Sequence, residues 1–358
     1  MIEAYAARWA RVAMLALLAV GCEEPVAPPS DPGAAVRMDQ RRLRLVLLGF
    51  DDNRAAPGLE DDLVEFARAP WSPEIHRISI SDTDRAAAPL VAYRDDGPTQ
   101  LRAPEPADPM NGVWLGEVLA DLADRFPAEH EILIVSGHGR DWQGLGLRDG
   151  RPEAMLTAAG LADALPPASR LLVLDASWSA RVELLLPFAT RAGAPVVVAA
   201  TGELSGEGID HSILPPVTGS AYGPATIADF YADRFASGAQ VVPAATIAGL
   251  PQLCASLSAA LASASASATD SGPLRAALLG AGIAPTLPGS GSVTLADAGN
   301  ALGHPVGGAT AELLLYLTEL DYLGAPLGLH PDYGTTGLAP AVLASGWPDA
   351  LNEFWSLP

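Results

Sequence analysis

The sequence predicts an α/β domain in which a mostly parallel sheet is covered by helices on both faces. Short apolar runs rich in Val, Leu and Ile recur along residues 44–200, and each run is too short for a buried helix. Segments with apolar residues at helical spacing lie between these runs. Strands that alternate with helices are joined by crossovers, which place neighbouring strands parallel to each other.

Each predicted element follows from its own residues. The predicted strands are the apolar runs at residues 44–50, 131–135, 170–174 and 195–200 and the partly alternating stretch 74–80. The predicted helices have apolar residues three or four positions apart and cover residues 59–66, 112–126, 156–165 and 180–188. Thr157 is expected to cap the third of these helices.

The pattern loosens after residue 201. Residues 227–235 and 246–262 have helical spacing, and the Ala/Ser-rich stretch 255–271 is either a helix end or a mobile connection. Further along, the sequence predicts a capped helix start at residues 292–298 and a strand or a helix at 311–321. A short helix is also expected near the C-terminus, at residues 346–355.

Composition and charge exclude several classes of protein. All 21 positive charges are Arg, because no Lys occurs, so Schiff-base chemistry and a Walker-type phosphate lysine are excluded. The net charge of -21 argues against nucleic-acid binding. The same charge is compatible with a soluble exported protein or with a cationic ligand.

The N-terminal residues are typical of an export signal. Two Arg residues precede the apolar run 12–20, which is too short to span a bilayer and ends next to Cys22. Residues 19–22 resemble a bacterial lipobox, in which the Cys is acylated; an ordinary secretory signal is the alternative. We therefore expect a signal peptide at 1–21, a lipid anchor at Cys22 in the cell envelope, and a flexible tether at 22–41.

Two folded parts are expected after the tether. The sheet-containing domain covers residues 42–240, and a C-terminal part covers residues 241–358. Cys254 is the other cysteine of the chain and is expected to be free and buried. A nucleophilic role for Cys254 has no support, because it lies on a predicted helix face with no His beside it.

Small and polar residues follow two neighbouring predicted strands. His138 and Gly139 come after the strand at 131–135, and Asp175 and Ser177 follow the strand at 170–174. In an open parallel sheet, functional side chains gather beyond the carboxyl ends of the strands. These residues are therefore candidates for a base, a nucleophile position and an acidic pocket residue, although Gly, Ser and Asp also end strands simply as turn formers.

Several motifs, taken in order, resemble the clostripain family of cysteine endopeptidases, which has a caspase-like fold. The matching segments are Asp51-Asp52-Asn53 after the first strand, residues 136–142 with Gly-His-Gly and a Trp, Asp175-Ala176-Ser177, residues 197–203 and residues 328–354. The resemblance implies a three-layer α/β/α sandwich with a mostly parallel central sheet and an α-rich C-terminal extension. The specificity of the match lies in the order and spacing of the motifs.

The resemblance also implies roles for the residues at the strand ends. The family uses a His and Cys pair that cleaves after Arg or Lys, and the Asp before the Cys holds the basic side chain. His138 would be the base, Asp175 the pocket floor, and backbone amides near Gly139 would form the oxyanion hole. The partner would be a peptide or protein with Arg or Lys side chains. Ser177, however, stands at the position of the nucleophilic Cys.

Ser177 leaves three interpretations open. A thiol ionises readily beside a cationic His, whereas a serine hydroxyl needs a well-aligned base and a group that orients that base. The first interpretation is a pseudopeptidase that keeps an Arg-directed cleft. The second is an active serine hydrolase that uses Ser177 and His138 to cleave after Arg. The third is a lipid-anchored binding or structural module without catalysis.

No metal or other cofactor is predicted. Some relatives use calcium, and the sequence has acidic clusters at Asp51-Asp52, at residues 60–62 and at Asp82 and Asp84, but none has EF-hand spacing. We expect these residues to lie at solvated faces and helix starts. The histidines form no ligand-like pair in sequence, and Asp210-His211-Ser212 is interpreted as a loop.

Overall fold

The structure is a computed structural model of the chain, and its description covers the part from residue 38 onward, with gaps. The described residues are 38–50, 59–82, 90–101, 108–137, 144–146, 155–166, 169–177, 179–191, 193–201, 208–217, 223–235, 238–267, 292–303, 305–308, 314–316, 344–346 and 349–350.

The centre of the fold is an eight-stranded sheet. Its strands, in chain order, are β1 (Arg41–Phe50), β2 (Ile75–Asp82), β3 (Leu90–Arg94), β4 (Gly97–Leu101), β5 (Ala128–Gly137), β8 (Ser169–Asp175), β9 (Val196–Ala200) and β10 (Ala239–Val242). Two short pairs lie outside it: β6 (Gly144–Leu145) with β7 (Leu156–Thr157), and β11 (Ser292–Thr294) with β12 (Leu314–Tyr316).

The sheet is parallel in the middle and antiparallel at both edges. The strand order is β10-β9-β8-β5-β1-β2-β3-β4. The pairs from β9 to β2 are all parallel, whereas β10 pairs antiparallel with β9, and β3 and β4 extend β2 as an antiparallel hairpin. The carboxyl ends of five parallel strands therefore meet at one edge of the sheet.

Seven helices are present in the described part of the chain. They are α1 (Leu59–Arg68), α2 (Gly112–Arg125), α3 (Ala158–Ala164), α4 (Val182–Ala189), α5 (Pro224–Ala232), α6 (Ala244–Ser267) and α7 (Leu295–Ala301). Asn111 caps α2 through bonds from the Val113 and Trp114 amides, and Thr157 caps α3 as predicted, accepting from the Gly160 amide at 3.0 Å.

The helices divide between the two faces of the sheet. Alternate residues of the central strands, such as Leu48 and Leu174, pack in one core with α2, α3, α4 and α6. The intervening residues, such as Leu47 and Val173, pack in a second core with Phe66 of α1 and with α5. Because β1, β5, β8 and β9 are covered on both sides, each contains an almost continuously apolar run. The predicted three-layer α/β/α fold with a mostly parallel sheet is confirmed.

Several predicted boundaries and elements differ from the structure. Helix α4 begins at Val182 instead of residue 180. Leu156–Thr157 were predicted to begin helix α3, but they form the short strand β7, which pairs with β6. The Ala/Ser-rich stretch after residue 255 is helical as far as Ser267, so of the two alternatives the helix end is correct over these residues. A helix does start within the predicted stretch 292–298, at Leu295 of α7, but the residues before it, Ser292–Thr294, form a strand. Most of the predicted 346–355 helix lies outside the described residues.

Helix α6 is the one helix in the described part that is long and apolar enough, over Ala244–Ser263, to cross a membrane. In the structure it packs against α4 and β9. Its buried residues recur every three or four positions and are Ile247, Leu250, Cys254, Leu257 and Leu261. These residues belong to the first core, so we interpret α6 as a helix of the C-terminal part that packs one side against that core.

Candidate functional site

The structure describes two of the predicted site residues. Asp175 is the last residue of β8, and Ser177 lies in the turn after it. The predicted base His138, the predicted oxyanion-hole residue Gly139 and the predicted lipidation site Cys22 lie outside the described residues. Their roles remain predictions.

The two strand ends that the sequence singled out are neighbours in the sheet. β5 pairs with β8 in parallel, and Ser136 of β5 is in register with Asp175 of β8. β5 ends at Gly137, directly before position 138. The expectation that these strand ends lie together is therefore correct.

Strand parity places the polar side chains on one face. Ser136 is two and four residues beyond Ile134 and Ile132, and Asp175 is two residues beyond Val173; these three apolar residues lie in the core that α1 and α5 cover. Because side chains alternate along a strand, Ser136 and Asp175 point toward the same helices. Both residues are buried.

The turn that carries Ser177 is tied to the next strand. The hydroxyl of Ser179 donates to the Leu174 carbonyl at 3.0 Å and accepts from the Ala200 amide at 2.9 Å. The Ala180 amide donates to the Ala200 carbonyl at 2.9 Å. Ser177 itself is half-buried. The turn is therefore held between the ends of β8 and β9, which fixes the backbone around Ser177.

Asp175 is buried beneath the segment 208–217. The side chain of Asp175 is 1% exposed. Its Oδ2 accepts a hydrogen bond from the Ile209 amide at 3.1 Å and also lies 3.1 Å from His211 Nε2. Gly208 has φ +50°, and a Cβ there would lie 2.9 Å from Asp175 Oδ2. Within the part of the chain that the structure describes, Asp175 Oδ1 has no hydrogen-bond partner. The segment thus wraps closely around this carboxylate.

Helix α1 supplies a second buried carboxylate. Asp62 is 6% exposed and accepts a hydrogen bond from Ser136 Oγ at 2.5 Å. The next turn of α1 supplies Glu65, whose Oε2 accepts from the His211 amide at 3.0 Å. Asp62 lies in the first turn of α1, as expected for a helix start, but the expected solvation is wrong, because α1 turns this residue toward the polar end of the second core.

Burial and charge perturb the ionisable groups of this cluster. Burial raises the pKa of Asp62 to about 7, against the lowering effects of His211 and of the Ser136 hydrogen bond, while Asp175 adds to the rise. Burial alone would lower the pKa of His211, but the hydrogen bond and charge of Asp175 and the charges of Asp62 and Glu65 raise it overall. The cluster therefore favours a positive His211.

Asp62, Asp175 and His211 together present metal-ligating atoms. One carboxylate oxygen from each Asp and one imidazole nitrogen lie within 4.8 Å of one another, and all three residues are buried. The sequence placed these residues at a helix start, a strand end and a loop, and predicted no metal site. Only the strand parity of Ser136 and Asp175 could have indicated a polar cluster on this face.

The structure is similar to solved structures of C11 proteases. An inactive zymogen C11 protease from Parabacteroides distasonis has a TM-score of 0.57 at 14% identity, over 79% of this chain and 94% of that chain. A secreted C11 cysteine protease from Bacteroides thetaiotaomicron, solved in complex with an irreversible peptide inhibitor, has a TM-score of 0.49 at 16% identity. The comparison covers 62% of this chain and 70% of that chain. A further structure of a secreted C11 cysteine protease from Bacteroides thetaiotaomicron, "iotapain", has a TM-score of 0.47 at 12% identity, over 62% of this chain and 71% of that chain.

No protein-family model matches the sequence, and no curated protein matches it. At 14% identity the likeness to the Parabacteroides distasonis protease concerns the fold alone. This likeness in fold agrees with the architecture described above, a mostly parallel eight-stranded sheet between two helical layers. The chain therefore has the caspase-like α/β fold of the C11, or clostripain-family, proteases.

Proposed function

We propose that the protein is a clostripain-like pseudopeptidase that has lost the catalytic thiol. The observation that carries this proposal is Ser177, which follows Asp175 in an anchored turn at the carboxyl end of β8, on a fold shared with C11 proteases. A hydroxyl at this position ionises far less readily than a thiol. The proposed partner is a peptide or protein with an exposed Arg side chain.

The surroundings of Asp175 support low or absent turnover. In the proposed cleft this carboxylate would bind the guanidinium of the partner, but its Oδ2 is already bonded to the Ile209 amide and lies against His211. An arginyl side chain would have to displace His211 before it could reach Asp175. The same observation favours the second candidate function, a non-catalytic binding module that does not use Asp175 for arginine.

Replacing the hydroxyl with a thiol tests the proposal. Ser177→Cys should cleave a peptide after Arg, or react covalently at residue 177 with an Arg-directed thiol trap, whereas the parent protein and Ser177→Ala should do neither. Mass spectrometry of the labelled peptide distinguishes position 177 from Cys254, which is buried. A folded Ser177→Cys protein that neither cleaves nor labels would contradict an intact cleft.

The parent protein distinguishes the serine-hydrolase alternative. Hydrolysis of an arginyl ester by the parent protein, abolished in Ser177→Ala, would identify an active serine enzyme and contradict the pseudopeptidase. Binding of an uncleaved arginyl peptide that weakens in Asp175→Asn would support the cleft. Equal binding by both proteins would leave the module interpretation.

We also propose that the protein is exported and anchored to the cell envelope through an acyl chain on Cys22. The support is the lipobox-like sequence at residues 19–22. Cells fed a labelled fatty acid should incorporate it into the parent protein and not into Cys22→Ser. Equal incorporation in the two proteins would exclude this anchor.

A further inference from the structure

We propose that Asp62, Asp175 and His211 form a binding site for a divalent transition-metal ion of the Zn²⁺ class. The three side chains come from α1, from the end of β8 and from the segment 208–217. They are far apart in sequence, yet their ligand atoms all lie within 4.8 Å of one another. The fold itself therefore assembles the donor set.

The chemistry of the donors selects the class of metal. Two carboxylate oxygens and one imidazole nitrogen are a ligand set that Zn²⁺ uses in proteins, with a solvent or substrate atom in a fourth position. Ca²⁺ takes six to eight oxygen ligands, and Mg²⁺ requires an octahedron of oxygens, so a compact site containing an imidazole suits neither ion well. The inference is thus distinct from a calcium site.

One ligand atom in the cluster lacks a partner among the described residues. Asp175 Oδ1 is buried and accepts no hydrogen bond from them, although its carboxylate lies among Asp62, His211 and the backbone of residues 208–209. A buried carboxylate oxygen without a partner loses its hydration and gains nothing in return. A metal ion bound to Oδ1 would remove this cost, and its two charges would balance the two neighbouring carboxylates.

The cluster also has the outer contacts that orient metal ligands. Ser136 Oγ donates to Asp62 Oδ2, and the Ile209 amide donates to Asp175 Oδ2. His211 Nε2 lies 3.1 Å from Asp175 Oδ2, so the imidazole stands beside the carboxylate whose other oxygen, Oδ1, would bind the ion.

The metal site does not depend on the proposed pseudopeptidase function. Both proposals use Asp175, however, so a bound ion would exclude an arginyl side chain from the same carboxylate. The two proposals therefore need separate tests. The zinc experiment needs no peptide, so its outcome is independent of the result obtained with Ser177→Cys.

Equilibrium dialysis against Zn²⁺ tests the site. The full chain carrying Cys22→Ser should bind one equivalent of Zn²⁺ at this site, since the leader thiol can then contribute no ligand. Asp175→Asn and His211→Gln should weaken this binding at least tenfold, and Ser136→Ala should weaken it about 10- to 100-fold as an outer contact. Asp210→Asn is the matched control, because Asp210 is exposed and bonds to Ser212, and it should bind like the parent.

Two results would overturn the site. One is the absence of saturable Zn²⁺ binding by the folded Cys22→Ser protein, and the other is unchanged affinity in folded His211→Gln. Circular dichroism establishes the fold of each variant. Where a variant is unfolded, the Co²⁺ absorption spectrum of the Cys22→Ser protein tests the site instead. The intense absorption of a four-coordinate Co²⁺ ion is expected. The weak absorption of a six-coordinate ion would contradict the proposal.

Discussion

His76 is a buried histidine whose surroundings oppose a positive charge. Its ring packs edge-on against Phe126, with ring centroids 5.4 Å apart, and its Nε2 donates to the Asp39 carbonyl at 3.0 Å. Burial, followed by the charges of Arg41 and Arg44, lowers the pKa of His76 to about 4, although the bond to Asp39 acts in the opposite direction. The folded protein therefore binds this proton more weakly than the unfolded chain does.

This difference predicts a loss of stability in mild acid. Above pH 6.5 His76 is neutral in both states, so its contribution to stability is complete; as the pH falls from about 6.5 to 4, the unfolded chain binds the proton first and the contribution is lost. Urea unfolding between pH 5 and 7 should show a smaller decline in His76→Gln than in the parent. Parallel declines in the two proteins would show that other groups carry the effect.

Gly208 occupies a position where a side chain meets both the backbone and Asp175. Its φ of +50° costs an L-residue about 1 kcal/mol, and a Cβ would lie 2.9 Å from Asp175 Oδ2. Gly208→Ala should therefore lower the free energy of unfolding more than Gly193→Ala does. Gly193 is the matched control, because its φ is +83° but nothing lies within 4 Å of its Cβ position. Equal losses in denaturant unfolding would mean that segment 208–217 moves easily away from Asp175.

At the residue scale the sequence predicted single positions better than their partners. Asp175 could be identified because it ends an apolar strand, a position that has functional meaning in a parallel sheet. Its partners His211 and Asp62 could not, because they lie 36 and 113 residues away and neither pairing has a local sequence signal. Burial of Asp62 depends on the rotation of α1, which tertiary packing decides.

Strands β1 and β5 share a buried ion pair. Arg44 and Glu131 are in register in this parallel pair, and Arg44 Nε donates to Glu131 Oε2 at 2.7 Å. A further guanidinium nitrogen of Arg44 donates to the Phe126 carbonyl at 2.8 Å. The side chains are 4% and 1% exposed, so each ion depends on the other for compensation of its lost hydration.

Removing one charge of this pair should destabilise the sheet strongly. Glu131→Gln leaves Arg44 buried without its counter-ion and should lower the free energy of unfolding by about 3–5 kcal/mol. Asp121→Asn is the control, because Asp121 forms a partly exposed pair with Arg125 one helical turn along α2 and should cost about 0.5 kcal/mol or less. Similar losses for the two variants, measured by urea unfolding, would contradict a special role for the buried pair.

Helices α2 and α3 approach each other through glycine. A Cβ on Gly112 would lie 2.5 Å from the Gly160 carbonyl oxygen, which is backbone and cannot rotate away. Gly112→Ala should therefore cost about 1–3 kcal/mol by forcing the helices apart. Gly116→Ala, four residues along α2, would meet its nearest atom at 3.4 Å and should be neutral or stabilising, because Ala favours a helix interior. Thermal unfolding of both variants checks the contrast.

At the element scale the parallel strands were predicted and the antiparallel edges were missed. Strands β1, β5, β8 and β9 are covered on both faces, so each contains a continuous apolar run that is recognisable alone. The fifth parallel strand, β2, alternates apolar and polar residues instead. β3, β4 and β10 are four or five residues long and only partly buried, so their alternation is weak. The turn Asp95-Asp96 before Gly97 was the available hairpin signal.

At the scale of the molecule, the reactivity of the Cys254 thiol measures whether the C-terminal part stays packed on the sheet domain. It lies on α6 among residues of the first core, and burial, followed by the charge of Glu183, raises its pKa to about 12. In a Cys22→Ser background the folded protein should resist thiol reagents. Its labelling should rise only with urea-induced unfolding, in parallel with far-UV circular dichroism. Rapid labelling without urea would show that α6 detaches from α4 while the rest stays folded.

The order of the strands in the sheet has a consequence for biosynthesis. β1 is in the middle; β2, β3 and β4 add outward on one side of it, and β5, β8, β9 and β10 then add outward on the other. None of these eight strands has to insert between two that are already paired, so the sheet can grow at its edges in the order in which the ribosome makes them. The segment with His211 follows β9, so in this order of assembly the carboxylate of Asp175 would stay hydrated until that segment has been synthesised.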